Sequence, residues 1–378
     1  MKNNFTSFLL SLTLLAGISC SRSAQEANEI VIGEYGSLTG TTATFGISTR
    51  NGVDLAIEEI NKAGGVLGKQ IRVVVEDDQG KPEEAQTVVT KLITSNKVVA
   101  IIGEVASSRT LAAAPVAQQA RIPMITPSST NPKVTEIGDY IFRTCFIDPF
   151  QGLVMAKFAS VTLKLKNVAI LRDIKNDYSV GLADVFVENF KKMGGTIVVD
   201  QSYSEGDTDF SAQLTSMKSS KPEAIFVPGY YTEVGLIARQ ARKLGINVPL
   251  LGGDGWDSPK LYEIGGEALN GSYFSNHTSV DDPDPVIQKF VSDYKARFGE
   301  TPDSLGANAY DTARIVVDAI KRAGSTDPAK LRDALAQTKD FPGIAGPITI
   351  DANRNAVKPA VILKVNNGKL DFVERVTP

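Results

Sequence analysis

Reactive side chains are scarce in this sequence. The 378 residues include one histidine, His277, and two cysteines, Cys20 and Cys145. A serine hydrolase needs a histidine base beside its nucleophile, and the Gly-x-Ser-x-Gly turn that commonly presents such a serine does not occur. His277 lies in the loop-like segment Ser275–Thr278, where we expect a surface residue rather than a base. We therefore expect no enzymatic activity, and selective binding becomes the leading class of function.

Sequence motifs for nucleotides, phosphates and metals are also missing. The segment Gly64–Gln70 superficially resembles a phosphate-binding loop, but it is one residue short and has Gln70 where Ser or Thr would hold Mg²⁺. One histidine and at most two cysteines cannot make a four-ligand zinc site without carboxylates at the other positions. The pair Asp77–Asp78 lacks the glycine and terminal glutamate of a calcium loop. We therefore expect no cofactor and no metal.

Positive charge is not in excess. The 40 Lys and Arg residues are outweighed by 43 Asp and Glu residues, which gives a formal net charge of −3. No basic run with interleaved aromatic residues occurs. Because proteins that bind nucleic acids normally present a basic surface, we expect no nucleic-acid partner.

An apolar run opens the chain. Lys2 precedes an apolar stretch that ends in small residues before Cys20, a pattern typical of a secretory signal. The position of Cys20 resembles a bacterial lipobox, although Gly17 stands where leucine is usual. We predict a signal peptide over 1–19, lipidation of Cys20 and a polar tether over 20–27. The product would be a periplasmic or extracytoplasmic, membrane-anchored lipoprotein. The alternative is an ordinary signal peptide cut nearby, with Cys20 incidental.

Lipidation of Cys20 would leave Cys145 without a partner, so an intramolecular disulfide is excluded under that interpretation. Cys145 lies in the apolar, strand-like segment Tyr140–Phe146. We expect it to be an inert, packed thiol.

From Glu29 onward, strand and helix patterns alternate in two blocks, and the second block begins after Phe150. Such alternation predicts parallel sheets with right-handed crossovers, and the chain is too long for a typical single core. The last patterns are strands around the hairpin signal Asn366–Gly368. We predict an α/β fold with two doubly wound, Rossmann-like lobes. A ligand would lie in the cleft between them.

Two buried-strand patterns in the segment Val98–Pro132 each end in a hydroxyl-rich turn. The first run is followed by Ser107 and Ser108, and the second by Ser128, Ser129 and Thr130. Hydroxyls that open a helix combine with its unpaired N–H groups to accept an anion. If the two strands are neighbours, both turns meet at one sheet edge and favour a carboxylate site. The alternative is that these serines only cap helices and turns.

Several longer motifs resemble the branched-chain amino-acid binding proteins of bacterial ABC importers. They are Asn61–Gly68, Glu76–Asp78, Ile125–Pro132, Gly229–Glu233 and Gly253–Asp257, and they occur in the family's order. The resemblance implies a type I periplasmic-binding fold with three crossovers and a Venus-flytrap closure of the lobes. It places one lobe at about 28–147 plus 278–349 and the other at 148–277 plus 350–378.

The same resemblance implies the polar half of a ligand site. Ser107 and Thr130 match hydroxyls that bind the ligand α-carboxylate. Backbone groups of Ser128 and Ser129 match the loop that contacts both carboxylate and ammonium. Asp254 matches the acid that pairs with the ammonium, although it also fits a cap of the following helix.

The aromatic half of the site is implied in the same way. Tyr230 or Tyr231 matches a contact from the second lobe, and Phe45 and Tyr178 match walls around the ligand side chain. Trp256 stands beside the acid and is expected to cover the pocket. Phe45 and Tyr178 fit ordinary core aromatics equally well.

The leading hypothesis is an extracytoplasmic receptor that delivers an amino acid, branched-chain or otherwise neutral and aliphatic, to the transmembrane subunits of an ABC permease. Alternatives are a receptor for an amide, urea or an aromatic acid, or a ligand-sensing module for a membrane partner. Arg109 leaves the ligand class open, because it either favours a more acidic ligand or points to solvent.

Overall fold

The computed structural model describes residues 28–378. The predicted signal peptide over 1–19, the lipidation site Cys20 and the tether over 20–27 lie outside the described residues. Within 28–378, no helix combines the length and the apolar character that crossing a membrane requires.

The first lobe contains a five-stranded parallel sheet in the order β2-β1-β3-β4-β5. Its strands are β1 (Glu29–Gly36), β2 (Gln70–Asp77), β3 (Ile101–Ile102), β4 (Met124–Thr126) and β5 (Ile141–Arg143). The connecting helices are α1 (Ala43–Lys62), α2 (Pro82–Thr94), α3 (Ser107–Ala120) and α4 (Lys133–Glu136). Because β3 and β4 are neighbours, the two hydroxyl-rich turns that follow them open at the same edge.

The second lobe begins with α5 (Asp148–Lys157), which continues into a π-helical turn over Phe158–Thr162. Its parallel strands are β6 (Asn167–Asp173), β7 (Thr196–Tyr203), β8 (Ala224–Phe226), β9 (Leu250–Gly252) and β10 (Tyr273–Asn276). The helices between them are α6 (Asp177–Lys192), α7 (Ser211–Ser219), α8 (Tyr231–Lys243) and α9 (Pro259–Gly265). Stacked rings of Phe186 and Phe226, with centroids 4.0 Å apart, lie in the core of this lobe.

The chain then returns to the first lobe. It forms α10 (Pro285–Phe298), α11 (Ser304–Ala323), α12 (Pro328–Ala336) and a small antiparallel sheet of β11 (Phe341–Gly343), β12 (Gly346–Ile350) and β13 (Ala356–Val357). Helix α11 packs closely on α1. The backbones approach so closely that a Cβ atom added to Gly52 would lie only 2.1 Å from the Gly306 carbonyl oxygen. Residues of both helices share an apolar core with Ile32 of β1.

A last passage leads to the hairpin of β14 (Ala360–Asn366) and β15 (Lys369–Val376), which extends the second sheet to the order β15-β14-β10-β9-β8-β6-β7. Strand β14 is antiparallel to β10. The chain thus passes between the lobes three times. The predicted α/β fold with two doubly wound lobes is confirmed.

Candidate ligand-binding site

The turn after β4 is held by hydrogen bonds within the first lobe. The Ser129 N–H donates to Thr126 Oγ1 at 2.8 Å, and the Ser129 hydroxyl donates to the Glu104 carbonyl oxygen at 2.9 Å. The Ser129 carbonyl accepts from Arg143 Nη1 at 2.6 Å. Ser129 therefore fixes the shape of the loop, and its polar groups are engaged by the protein itself.

A small, nearly filled cavity of about 10 Å³ lies between the lobes. Both lobes contribute to the lining, which consists of Phe45, Val105, Ser128, Tyr178, Tyr230, Asp254, Gly255 and Leu305. Five predicted site residues are thus brought together, namely Phe45, Ser128, Tyr178, Tyr230 and Asp254.

Of the three predicted hydroxyl residues Ser107, Ser128 and Thr130, only Ser128 lines the cavity. Ser107 opens this helix, and its oxygen accepts from the Asn131 N–H at 3.2 Å, which leaves its own O–H able to donate. Ser128 Oγ accepts a long hydrogen bond of 3.4 Å from Asn308 Nδ2. Thr130 Oγ1 is buried and has no hydrogen-bond partner among residues 28–378. These hydroxyls therefore offer donors to an anion, and the start of α3 adds partial positive charge.

The second lobe contributes a carboxylate to the cavity lining. Asp254 lies in a short 3₁₀ turn after β9, and its N–H donates to Gln151 Oε1 at 2.8 Å. Its Oδ2 atom lies 3.0 Å from His277 Nε2. Its Oδ1 atom is buried without a partner among the described residues. An unpaired buried carboxylate oxygen is costly, so a cationic donor at this position would be stabilising.

Aromatic rings form the side walls. Phe45 meets Tyr230 edge-on with ring centroids 5.3 Å apart, and Tyr178 stacks on Tyr230 at 5.5 Å. Burial raises the pKa of the Tyr178 and Tyr230 hydroxyls well above the ordinary value, so both remain protonated and able to donate. Tyr230 OH has no partner within 28–378, whereas Tyr178 OH accepts from the Gly255 N–H at 3.1 Å.

Two predicted aromatic residues lie behind this wall. Tyr231 packs edge-on against Phe45 at 5.1 Å and does not line the cavity. Trp256 is fully buried, and its Nε1–H donates to the Val227 carbonyl at 3.0 Å. Trp256 therefore packs beneath the turn that contains Asp254. It does not cover the pocket.

The expectation of a surface position for His277 is wrong. Its side chain is only 1% exposed, because the chain turns inward after β10 and the imidazole packs on the Phe146 ring with centroids 3.9 Å apart. Sequence reasoning also missed Val105, Gly255 and Leu305 in the lining. Val105 and Gly255 lie within two residues of predicted site residues, whereas Leu305 opens a distant helix with no local signal.

Arg109 neither enters the cavity nor points to solvent. Its side chain is 2% exposed, and Nη2 donates to Glu205 Oε1 of the other lobe at 2.9 Å. Nη1 lies 3.6 Å from Glu104 Oε1. Burial, reinforced by the nearby Asp78 carboxylate, raises the pKa of Glu104 to about 7, and Arg109 opposes this shift. Arg109 thus acts as a buried electrostatic link between the lobes.

Further hydrogen bonds close the cleft around the cavity. Thr44 Oγ1 and Ser258 Oγ are 2.9 Å apart, and the Thr232 hydroxyl donates to the Thr41 carbonyl at 2.7 Å. Ser108 Oγ donates to the Asp177 carboxylate at 2.8 Å. These contacts join opposite lobes, so the arrangement is closed.

Comparison with known proteins agrees with this architecture. A family model described as periplasmic binding protein matches residues 29–369. The Leu/Ile/Val-binding protein BraC3 of Rhizobium johnstonii is 33% identical over 343 residues, which cover 90% of this chain and 92% of that protein. The leucine-binding protein LivK of Thermotoga maritima has a TM-score of 0.88 and 42% identity, over 92% of this chain and 99% of that one.

A second solved structure is that of the branched-chain amino-acid transporter substrate-binding protein LivJ of Streptococcus pneumoniae in complex with isoleucine. Its TM-score is 0.88 with 39% identity, over 93% of this chain and 100% of that one. The resemblance drawn from the sequence motifs is confirmed, and it is a resemblance to solute-binding proteins rather than to an enzyme class. The chain belongs to the periplasmic binding protein family, with relatives among the Leu/Ile/Val-binding proteins.

Proposed function

We propose that this protein captures a branched-chain or other neutral, aliphatic α-amino acid between its lobes and delivers it to an ABC permease. The observation that carries the proposal is the polarity of the cavity. Ser128 of one lobe and Asp254 of the other line it, Asp254 Oδ1 has no partner among the described residues, and apolar and aromatic side chains form most of the remaining lining. The names of the relatives, which bind leucine, isoleucine and valine, support this ligand class.

In this proposal the ligand carboxylate accepts hydrogen bonds from Ser107, Thr130 and the Ser128 region. The N–H and carbonyl of Ser129 are already paired, so its contribution is to hold this loop. The ammonium donates to Asp254, and charge-assisted hydrogen bonds of this kind are the strong ones. The aliphatic side chain packs against Phe45, Tyr178 and Leu305.

Binding and closure are coupled in this proposal, because the two ends of the ligand are held by different lobes. A ligand that contacts both lobes favours the closed arrangement by its differential affinity for that state. The link from Arg109 to Glu205 and the Thr44–Ser258 contact favour the same arrangement. The result is a Venus-flytrap closure.

We further propose a lobe division close to the one expected from the sequence, with 28–147 plus 278–357 in one lobe and 148–277 plus 358–378 in the other. The composition of the two main sheets supports the first two boundaries. The pairing of β13 with β12 favours a last boundary after Val357, eight residues beyond the expected position.

We also propose that the mature protein is a lipoprotein anchored at Cys20 on the extracytoplasmic side of a membrane, where it meets the permease. Replacing Cys20 by serine is expected to abolish incorporation of a radiolabelled fatty acid and to release the protein into the soluble fraction, because serine has no thiol to acylate. Labelling and fractionation in a bacterial host measure both effects. A Cys145→Ser variant is the control, and equal labelling of the Cys20→Ser variant would contradict lipidation.

The amino-acid proposal predicts selective stabilisation of the mature protein by leucine, isoleucine or valine. A ligand at about 100 times its Kd stabilises the folded state by about 2.7 kcal/mol, which a thermal-shift experiment detects readily. Isocaproate, which lacks the ammonium of leucine, and isoamylamine, which lacks the carboxylate, should each give a much smaller shift, since either leaves part of the site unpaired. A shift with urea, an amide or an aromatic acid but with no amino acid would contradict the proposal.

A further inference from the structure

His277 lies outside the lining of the cavity, yet it contacts the lining residue Asp254. Its Nε2 atom is 3.0 Å from Asp254 Oδ2, and both side chains are nearly inaccessible to solvent. A carboxylate only accepts hydrogen bonds, so Nε2 must carry the proton. Of the two neutral tautomers, this geometry favours the form that carries the proton on Nε2.

The contact leaves the two oxygens of Asp254 in different situations. Oδ2 is engaged by the imidazole, whereas Oδ1 is buried without a partner among residues 28–378. The backbone at this position is fixed separately, because the Asp254 N–H donates to Gln151. The imidazole is held by its packing on Phe146, and the backbone N–H of His277 donates to Asn276 Oδ1 at 2.8 Å.

We propose that His277 is a positioning residue for amino-acid binding, which holds Oδ2 of Asp254 so that Oδ1 faces the cavity as the acceptor for the ligand ammonium. The inference rests on the proposed function, because it assigns the ammonium to Asp254. A fixed acceptor spares the ligand the cost of ordering a free carboxylate when it binds. A neutral imidazole is also the required form, because it leaves the pair with one negative charge to offer the ammonium.

The surroundings of His277 favour this neutral form. Burial lowers the pKa of His277 from its ordinary value of 6.5, and the hydrogen bond and negative charge of Asp254 oppose the shift. Lys358, whose Nζ donates to Asn308, lowers the pKa further, and Asp257 raises it. Protonation of His277 would set a positive charge against the Asp254 carboxylate and weaken its attraction for the ammonium.

Two substitutions separate positioning from packing. His277→Leu removes the donor, and we expect leucine binding, measured by titration calorimetry, to weaken roughly tenfold or more. His277→Gln retains an N–H donor at a similar distance along the side chain, and binding should return to within roughly threefold of the unmodified protein. Thr278→Val, a change at a neighbouring buried hydroxyl with no partner in the described part of the chain, is the matched control and should bind leucine normally.

Unaltered leucine binding by His277→Leu would overturn the proposal. Equally weak binding by the Leu and Gln variants would assign His277 to packing against Phe146 alone and would also overturn it. Failure of the unmodified protein to bind any amino acid is a different result, which overturns the proposed function and this inference with it.

A measurement on the unmodified protein avoids any folding defect of the variants. Because the chain has a single histidine, its ring nitrogens give one set of signals in nitrogen-15 NMR spectra. We expect the Nε2–H tautomer at neutral pH and a further fall of the imidazole pKa on addition of leucine, since the ammonium offsets the charge of Asp254. An Nδ1–H tautomer, or a pKa that leucine leaves unchanged, would overturn the proposal.

Discussion

Replacing Asp254 by asparagine is expected to abolish measurable amino-acid binding. Asparagine has nearly the same shape and its oxygen can still accept from His277, but the side chain carries no charge and would turn amide hydrogens toward the ligand ammonium. Leaving one member of a buried ion pair unpaired costs about 3–5 kcal/mol, which corresponds to a loss of affinity of roughly 100-fold or more. Titration calorimetry with leucine measures the loss directly.

The control for this substitution is Asp177→Asn. Asp177 lies at the contact between the lobes, where its carboxylate accepts from Ser108, but it does not line the cavity. We expect its affinity for leucine to change by less than roughly threefold, as is typical for an exposed polar contact. Both variants should melt close to the unmodified protein without ligand. Normal affinity in the Asp254→Asn variant would remove this residue from the site.

The Arg109→Met variant is expected to be less stable by about 3 kcal/mol, because it leaves buried carboxylates without their cation. Glu104 is fully buried beside Asp78, and Arg109 is the positive charge that links it to Glu205 of the other lobe. The free energy of unfolding from urea titration at pH 8 measures the effect. Arg297→Met, which removes an exposed partner of Glu58, is the control and should change stability little.

The penalty for losing Arg109 should depend on pH. In the unmodified protein, burial raises the pKa of Glu104 from 4.5 to about 7, so the folded state binds the extra proton and stability falls as pH rises through this interval. Without Arg109 this pKa rises further, so stability continues to fall above pH 7. The difference from the unmodified protein should thus be larger at pH 8 than at pH 6. An equal or larger penalty at pH 6 would contradict this account.

Local patterns predicted that the two hydroxyl-rich turns meet at one edge of the sheet. Buried strands followed by serines place those serines at one sheet edge, and the pairing of β3 with β4 brings the two turns together. The same patterns could not show that the polar groups of Ser129 are already hydrogen-bonded within the first lobe. Its partners Thr126 and Glu104 are set by tertiary packing. Resemblance to known motifs, rather than periodicity, identified Asp254.

The sequence did not predict which residues contact each other across the cleft or between distant segments. Arg109 occupies the first turn of α3, and its partner Glu205 lies 96 residues away in the other lobe. A helical pattern assigns a face to such a residue but not the loop that meets it. The sequence likewise predicted a surface position for His277, because its burial depends on Phe146 and Asp254, which approach it from separate segments.

The close packing of α1 on α11 has a consequence for how the chain folds during synthesis. Gly52 and Gly306 touch across the helix pair, although 254 residues separate them in sequence. At ribosomal rates, this separation corresponds to a delay of on the order of tens of seconds between the two helices. The first lobe cannot complete its core during that interval, and contacts of such high sequence separation also slow folding itself. The N-terminal half of a nascent chain with this topology therefore lacks one side of its core until the second half has been made.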